Sequence, residues 1–285
     1  KIIFIIENFF IIEDFYRAFK KYTEIPLEDV ARHGKIIPPI YAFNQPAITV
    51  AFQLALTKTN NALVMGEKGD IIGSANSESL IIHILSWKKG IWRNMYIHTL
   101  GEIANPVKIF YKGDTLSDYF SYLATSRYSD AIFMDGKVPY LITPYVLLQF
   151  LYDHDKIGNF DPARYASKLI SAEPSIRLLD LLELMITKWI RKVAINNKLI
   201  TDRSLAECYL FTMNNLGMLS RDPDDVLGIS INEIDKCFLD PPTFSEGEDA
   251  RSITKKILSS DAQACVSDSL ILTPYDLAVK PFIKK

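Results

Sequence analysis

Residues 131–150 read AIFMDGKVPYLITPYVLLQF. A short apolar run, a polar turn at Asp135-Gly136 and a second apolar run are followed by a small polar residue, Thr143, and then by apolar residues at helical spacing. That order predicts strand, hairpin turn, strand and helix. The same order recurs at 193–210 (VAINNKLITDRSLAECYL), at 264–282 (ACVSDSLILTPYDLAVKPF) and more loosely at 62–85 (ALVMGEKGDIIGSANSESLIIHIL). A repeat decides the fold more firmly than any single motif, because each copy must bury its apolar face against a neighbour.

Working outward, each copy is preceded by a segment with apolar residues three and four apart: 48–58 (ITVAFQLALTK), 115–125 (TLSDYFSYLAT), 175–187 (SIRLLDLLELMIT) and 250–260 (ARSITKKILSS). That spacing predicts helices buried on one face. Before each helix lies a short extended piece, in order IIPPIYAF, VKIFY, KLIS and KCFLDPP. The unit is therefore strand, helix, strand, strand, helix, recurring about every 60–70 residues. Residues 1–22 match only the second half of a unit, with two strands expected around a Glu7-Asn8 turn. That apolar start is too short to span a bilayer and lacks a small-residue cleavage site.

The 285 residues, 48% hydrophobic and 23% charged, have an ordinary globular balance with room for about two domains of typical size. A net charge of −2 provides no global field toward nucleic acid or an acidic membrane. Cys208, Cys237 and Cys265 are odd in number and far apart, which supports neither a disulfide framework nor a zinc site and suits a reduced cytoplasmic compartment. His33, His83, His98 and His154 have no metal-ligand spacing. The stretch 66–73 (GEKGDIIG) lacks the ending of a phosphate loop and sits where a hairpin turn is needed. The acidic run at 222–225 reads as a turn in a linker.

The unit resembles the CBS domain, a β-α-β-β-α module that works in pairs called Bateman modules. The resemblance covers nearly the whole chain and implies a mixed α+β fold. Four tandem units would form two Bateman modules in a disc-like arrangement, units one and two in the first and three and four in the second. The boundaries fall at 1–30 for the partial repeat, then 31–90, 91–155, 156–216 and 217–285. The family binds adenine nucleotides, or S-adenosylmethionine, in clefts between paired units. Its signature is a strand ending in a hydroxyl residue followed three positions later by an acid. The hydroxyl and helix start hold phosphate, and the acid accepts from the ribose hydroxyls.

On that resemblance the copies differ. Copy four keeps both residues, Thr273 and Asp276, around Pro274 and Tyr275. Copy two keeps Thr143 but has Val146, copy three has Thr201 with Ser204, and copy one departs at both positions with Asn76 and Ser79. The expected site is therefore in the C-terminal pair. Arg191 and Lys192 would supply phosphate charge, Ile229 and Ser230 would line the cleft, and Ala264 and Cys265 would form a bed for adenine. Thr201, Ser204 and Thr143 would mark weaker second sites. The competing reading of each hydroxyl and acid is a helix cap, Thr273 with Asp276 forming a capping box. Arg191 and Lys192 could equally be a solvated strand edge.

The resemblance implies a regulatory, energy-sensing protein and no enzyme, with AMP, ADP or ATP as regulatory ligand and no prosthetic group. The expected partners are the nucleotide and an unidentified regulated protein, with no membrane and no nucleic acid, and with a homodimer allowed. The alternatives are a ligand-free protein-interaction module and a CBS protein that binds S-adenosylmethionine or nucleic acid.

Overall fold

The computed structural model describes residues 22–57, 60–87, 91–219 and 222–283. Residues 1–21, with the two strands expected around Glu7-Asn8, lie outside them. Each of the four repeats has the predicted leading helix, strand pair and closing helix, but the extended piece expected ahead of unit four (KCFLDPP) forms only isolated bridges and no strand. Unit one has β1 (Ile40–Ala42), a leading helix (Ile48–Thr57), β2 (Asn61–Met65), β3 (Ile71–Asn76) and a closing helix (Ser77–Ser86). Unit two has β4 (Lys108–Phe110), a leading helix (Leu116–Thr125), β5 (Ala131–Asp135), β6 (Val138–Ile142) and a closing helix (Pro144–Asp153). In unit three, β7 (Ser167–Lys168) precedes the leading helix (Leu178–Lys188), β8 (Lys192–Ile195) and β9 (Lys198–Thr201). Its closing helix starts as Asp202–Leu205 and widens into a π turn over Ala206–Leu210, where the Phe211 amide reaches back to Ala206 O. Unit four has a leading helix (Ala250–Leu258), β10 (Cys265–Ser267), β11 (Leu270–Leu272) and a closing helix (Pro274–Ala278).

The segment ahead of each unit crosses to the paired unit before joining its own. Leu141 N of β6 donates to Ile36 O, and only then does β1 run parallel to β2. Asn105 bridges Ser74 of β3 before β4 joins β5. β7 pairs antiparallel with β11 of unit four before Ser171 bridges Ala194 of β8. Leu239 bridges Leu199 of β9 before Thr243 bridges Val266 of β10. This exchange covers strand edges that would otherwise stay open. Gly73 permits one crossing: a Cβ there would lie 2.7 Å from Asn105 O.

The central strands β2, β5, β8 and β9 have consecutive buried residues on both faces, so they read as continuous apolar runs. Their alternation still sorts residues by destination. In β5, Ala131 and Phe133 point into a helical core, while Ile132 meets Leu63 and Leu141 between the sheets of units one and two. In β8, Val193 and Ile195 join another helical core, while Ala194 meets Leu199, Ala264 and Ile271 between the sheets of units three and four. Units one and two are thus paired by their sheets, as are units three and four. The helices then pack across the pairs: one core joins units one and three, the other units two and four.

Two local readings differ from expectation. Leu27–Gly34 forms a helix ahead of unit one, with Leu27, Val30 and Ala31 buried against the closing helix of unit two. The acidic run expected as a turn starts a short helix, Pro223–Leu227, because Asp222 caps it by accepting from the Asp224 amide at 3.2 Å. The 66–73 stretch forms the hairpin turn between β2 and β3, closed by Gly66 N donating to Asp70 O. No helix among the described residues is long and apolar enough to cross a membrane.

Candidate functional site

Because the closing helices pack across the pairs, their first residues converge. Thr143, Pro144 and Tyr145 of unit two, Thr201, Asp202 and Arg203 of unit three, and Thr273 through Asp276 of unit four line one cavity of about 650 Å³. Arg191, Lys192, Ser167, Lys168 and Lys280 line it too. Asn76 and Glu78 of unit one open onto a second cavity of about 130 Å³, with Asp130, Trp189 and Arg191 on its wall. Arg191 and Trp189 line both.

Asp276 is 2% exposed and its carboxylate is saturated. Oδ2 accepts from Thr273 N at 2.7 Å and from Thr273 Oγ1 at 2.6 Å, which is the capping box. Oδ1 accepts from Ser167 Oγ at 3.0 Å and forms an ion pair with Lys280 Nζ at 2.5 Å. Thr273 therefore spends its hydroxyl proton on Asp276, and the hydroxyl keeps acceptor capacity only. Ser167 stands on β7, which is the lead-in to unit three laid against the sheet of unit four.

Arg191 faces acids from three units. Its Nε and Nη2 donate to Asp202 Oδ2 at 3.0 and 2.7 Å, and Ser77 Oγ of unit one donates to the same oxygen at 3.1 Å. The Asp202 carboxylate, aided by Glu78 and Asp130, raises the Arg191 pKa against a lowering contribution from desolvation. Burial in turn pushes the Glu78 and Asp130 carboxyls up, with Arg191 opposing and Asp202 reinforcing. Lys192 is pushed down from the ordinary lysine value of 10.5 to about 8, chiefly by burial, with Arg191 and Arg203 adding to the effect and Asp202 opposing it. Its ammonium donates to Ala262 O at 2.7 Å. Arg203 pairs with Glu207 at 2.6 Å.

The structure brings Thr273, Pro274, Tyr275, Asp276, Arg191, Lys192, Thr143 and Thr201 to the central cavity, and leaves the other named residues elsewhere. Ala264 and Cys265 are wholly buried: strand alternation sends Ala264 between the sheets and Cys265 into the helical core. Ser230 bridges Arg177 at the start of the leading helix of unit three and donates to Pro174 O at 3.4 Å. Ile229 packs against the core of units one and three. Ser204 is buried, bonded to Thr201 in a capping box: its amide donates to Thr201 Oγ1 at 2.8 Å, and Thr201 N donates to its Oγ at 3.0 Å. Thr143 caps its helix by accepting from Val146 N at 3.2 Å.

Sequence reading missed Ser167, Lys168, Lys280 and the acids Asp202 and Asp130. Lys280 was findable, since it lies one turn beyond Asp276. Ser167 was not, because strand exchange between units leaves no mark on local sequence. Asn61 Oδ1 and Asn105 Nδ2, on the walls of the two cavities, are buried without a hydrogen-bond partner. Such atoms cost about 1–3 kcal/mol each until a ligand or water meets them. No group of His, Cys, Asp and Glu among the described residues is arranged to hold a metal ion.

No family model matches the chain, and no curated protein matches it. Solved structures do. A Methanocaldococcus jannaschii protein, MJ1225, described as a candidate archaeal homolog of g-AMPK, superposes with a TM-score of 0.72 at 16% identity, covering 89% of this chain and 99% of that one. Smaller neighbours include the CBS domain of a bacterial CNNM/CorC family Mg2+ transporter in complex with ATP (TM-score 0.39, 14% identity, 49% of this chain and 95% of that one). Another is CBSX2 in complex with AMP (TM-score 0.34, 13% identity, 43% and 97%). The chain has the fold of a tandem CBS-domain protein, four units in two sheet-to-sheet pairs.

Proposed function

We propose that the chain is a regulatory protein that binds an adenine nucleotide, AMP or its di- or triphosphate, in the cleft of its C-terminal pair. One observation carries the reading. The acid fit to accept from a ribose, Asp276, and the cations fit to hold a phosphate, Arg191 and Lys192, come from different units and line the same cavity. Its volume of about 650 Å³ lies in the range of small-molecule sites, ~300–1,000 Å³. A ligand touching both units of a pair changes their relative arrangement only through different affinities for the two arrangements, and that is how it would act as a signal.

A second reading, a protein-interaction module without a nucleotide, is favoured by a different observation. Asp276 and Arg191 are already satisfied internally, by Lys280 and Asp202. Titration calorimetry with AMP, ADP, ATP and S-adenosylmethionine separates the two. Wild type is expected to bind one of the nucleotides, and Asp276→Ala to bind it at least tenfold more weakly. Absence of binding by wild type at millimolar ligand selects the second reading. Equal binding by both proteins moves the site away from Asp276.

A further inference from the structure

Lys280 holds the position around Asp276 with every bond it has. Its ammonium has three donors. They meet Asp276 at 2.5 Å, Ser167 Oγ at 2.8 Å and Tyr165 O at 2.9 Å. The lysine side chain is 28% exposed while that of Asp276 is 3% exposed, and both residues line the cavity. It belongs to the 3-10 turn Lys280–Phe282, directly after the closing helix of unit four. Phe282 of that turn stacks on Phe120 of unit two, with ring centroids 5.2 Å apart. The lysine is thus held by packing between units as well as by its own bonds.

We propose that Lys280 is a built-in competitor for the diol-binding acid: its ammonium occupies the acceptor oxygen and the Ser167 hydroxyl that the two ribose hydroxyls of a nucleotide would otherwise engage. This rests on the nucleotide reading above. With the capping box claiming Oδ2 through two bonds, Oδ1 is the only oxygen of Asp276 that faces another partner, and Lys280 and Ser167 already fill it. A ribose can enter only by displacing the lysine. The displacement moves the ammonium off Asp276, Ser167 and Tyr165 by rotation of the lysine side chain. Lys280 therefore sets the affinity of the site.

The test measures calorimetric binding of AMP and of 2′,3′-dideoxyadenosine monophosphate to the intact chain, as wild type, Lys280→Met and Lys280→Gln. Both substitutions keep side-chain bulk, and the glutamine retains an amide donor in case methionine impairs folding; circular dichroism confirms fold for each. Removing one displaced charge-assisted bond is expected to tighten AMP about tenfold in Lys280→Met. Glutamine should give a smaller gain, and neither variant should gain for the dideoxy ligand. If wild type binds AMP through Asp276 but Lys280→Met binds it no tighter, Lys280 is not a competitor and the nucleotide reading stands. An equal gain for both ligands assigns the effect to general electrostatics and overturns the proposal. If neither wild type nor a folded Lys280 variant binds AMP at millimolar concentration, the proposal and the nucleotide reading fall together.

Discussion

Replacing Asp202 by asparagine should weaken the protein and strengthen its hold on anions. Asp202 accepts two bonds from Arg191 and one from Ser77, so it ties unit three to unit one, and at the first turn of its helix it complements the helix dipole. Breaking a fully buried pair costs about 3–5 kcal/mol. The Arg191 side chain is 41% exposed, so solvent screens this pair, and asparagine still offers a neutral acceptor. The expected loss is about 1–2 kcal/mol. For a chain of this length that is roughly 2–6 °C in Tm. The same change removes a negative charge from the cavity and frees the Arg191 fork, so AMP affinity should rise about three- to tenfold. The assay pairs thermal unfolding with calorimetry on wild type, Asp202→Asn, Arg191→Met and the double variant, with a coupling of about 1–2 kcal/mol between the two sites. Unchanged stability together with unchanged AMP affinity would refute the view that Arg191 is held by Asp202 and available to a phosphate.

Other outcomes follow from the same structure. Because the folded Lys192 pKa lies near 8, below the ordinary 10.5, the unfolded chain binds more protons between those values and stability should rise with pH across that window. An anion held against Lys192 raises its pKa, so nucleotide binding near pH 8 should take up protons, seen as a dependence of calorimetric heat on buffer ionisation enthalpy. Gly73→Ala puts a Cβ 2.7 Å from Asn105 O, so the crossing into unit two must shift, and denaturant unfolding should report a loss of about 1–3 kcal/mol. Leu181→Ala opens the core shared by units one and three and should cost about 2–5 kcal/mol in the same assay.

The repeat made most of the fold legible. The leading helices at 116–125 and 250–258 sit within a residue or two of their predicted spans because both carry a clean helical period between a capping residue and a turn. The hairpins were equally plain, since two apolar runs around a short polar turn have few alternatives. What local sequence could not carry was partner choice between units. Ser167 lies immediately before the KLIS stretch read as the start of unit three, yet it bonds Asp276 of unit four through an exchanged strand. Ala264 and Cys265 looked like a ligand bed because they are small and sit on a strand, but in a sheet covered on both faces small residues also serve close packing. Thr273 and Asp276 form the capping box and also line the cavity.

The most direct test of the account is a crystal structure of the intact chain grown with millimolar AMP. The account predicts one nucleotide in the central cavity, its phosphate against Arg191 and Lys192, its ribose hydroxyls on Asp276 and Ser167, and the Lys280 ammonium moved off the carboxylate. A structure that leaves this cavity without nucleotide and the Lys280–Asp276 pair intact, or that places AMP against other residues, would contradict it.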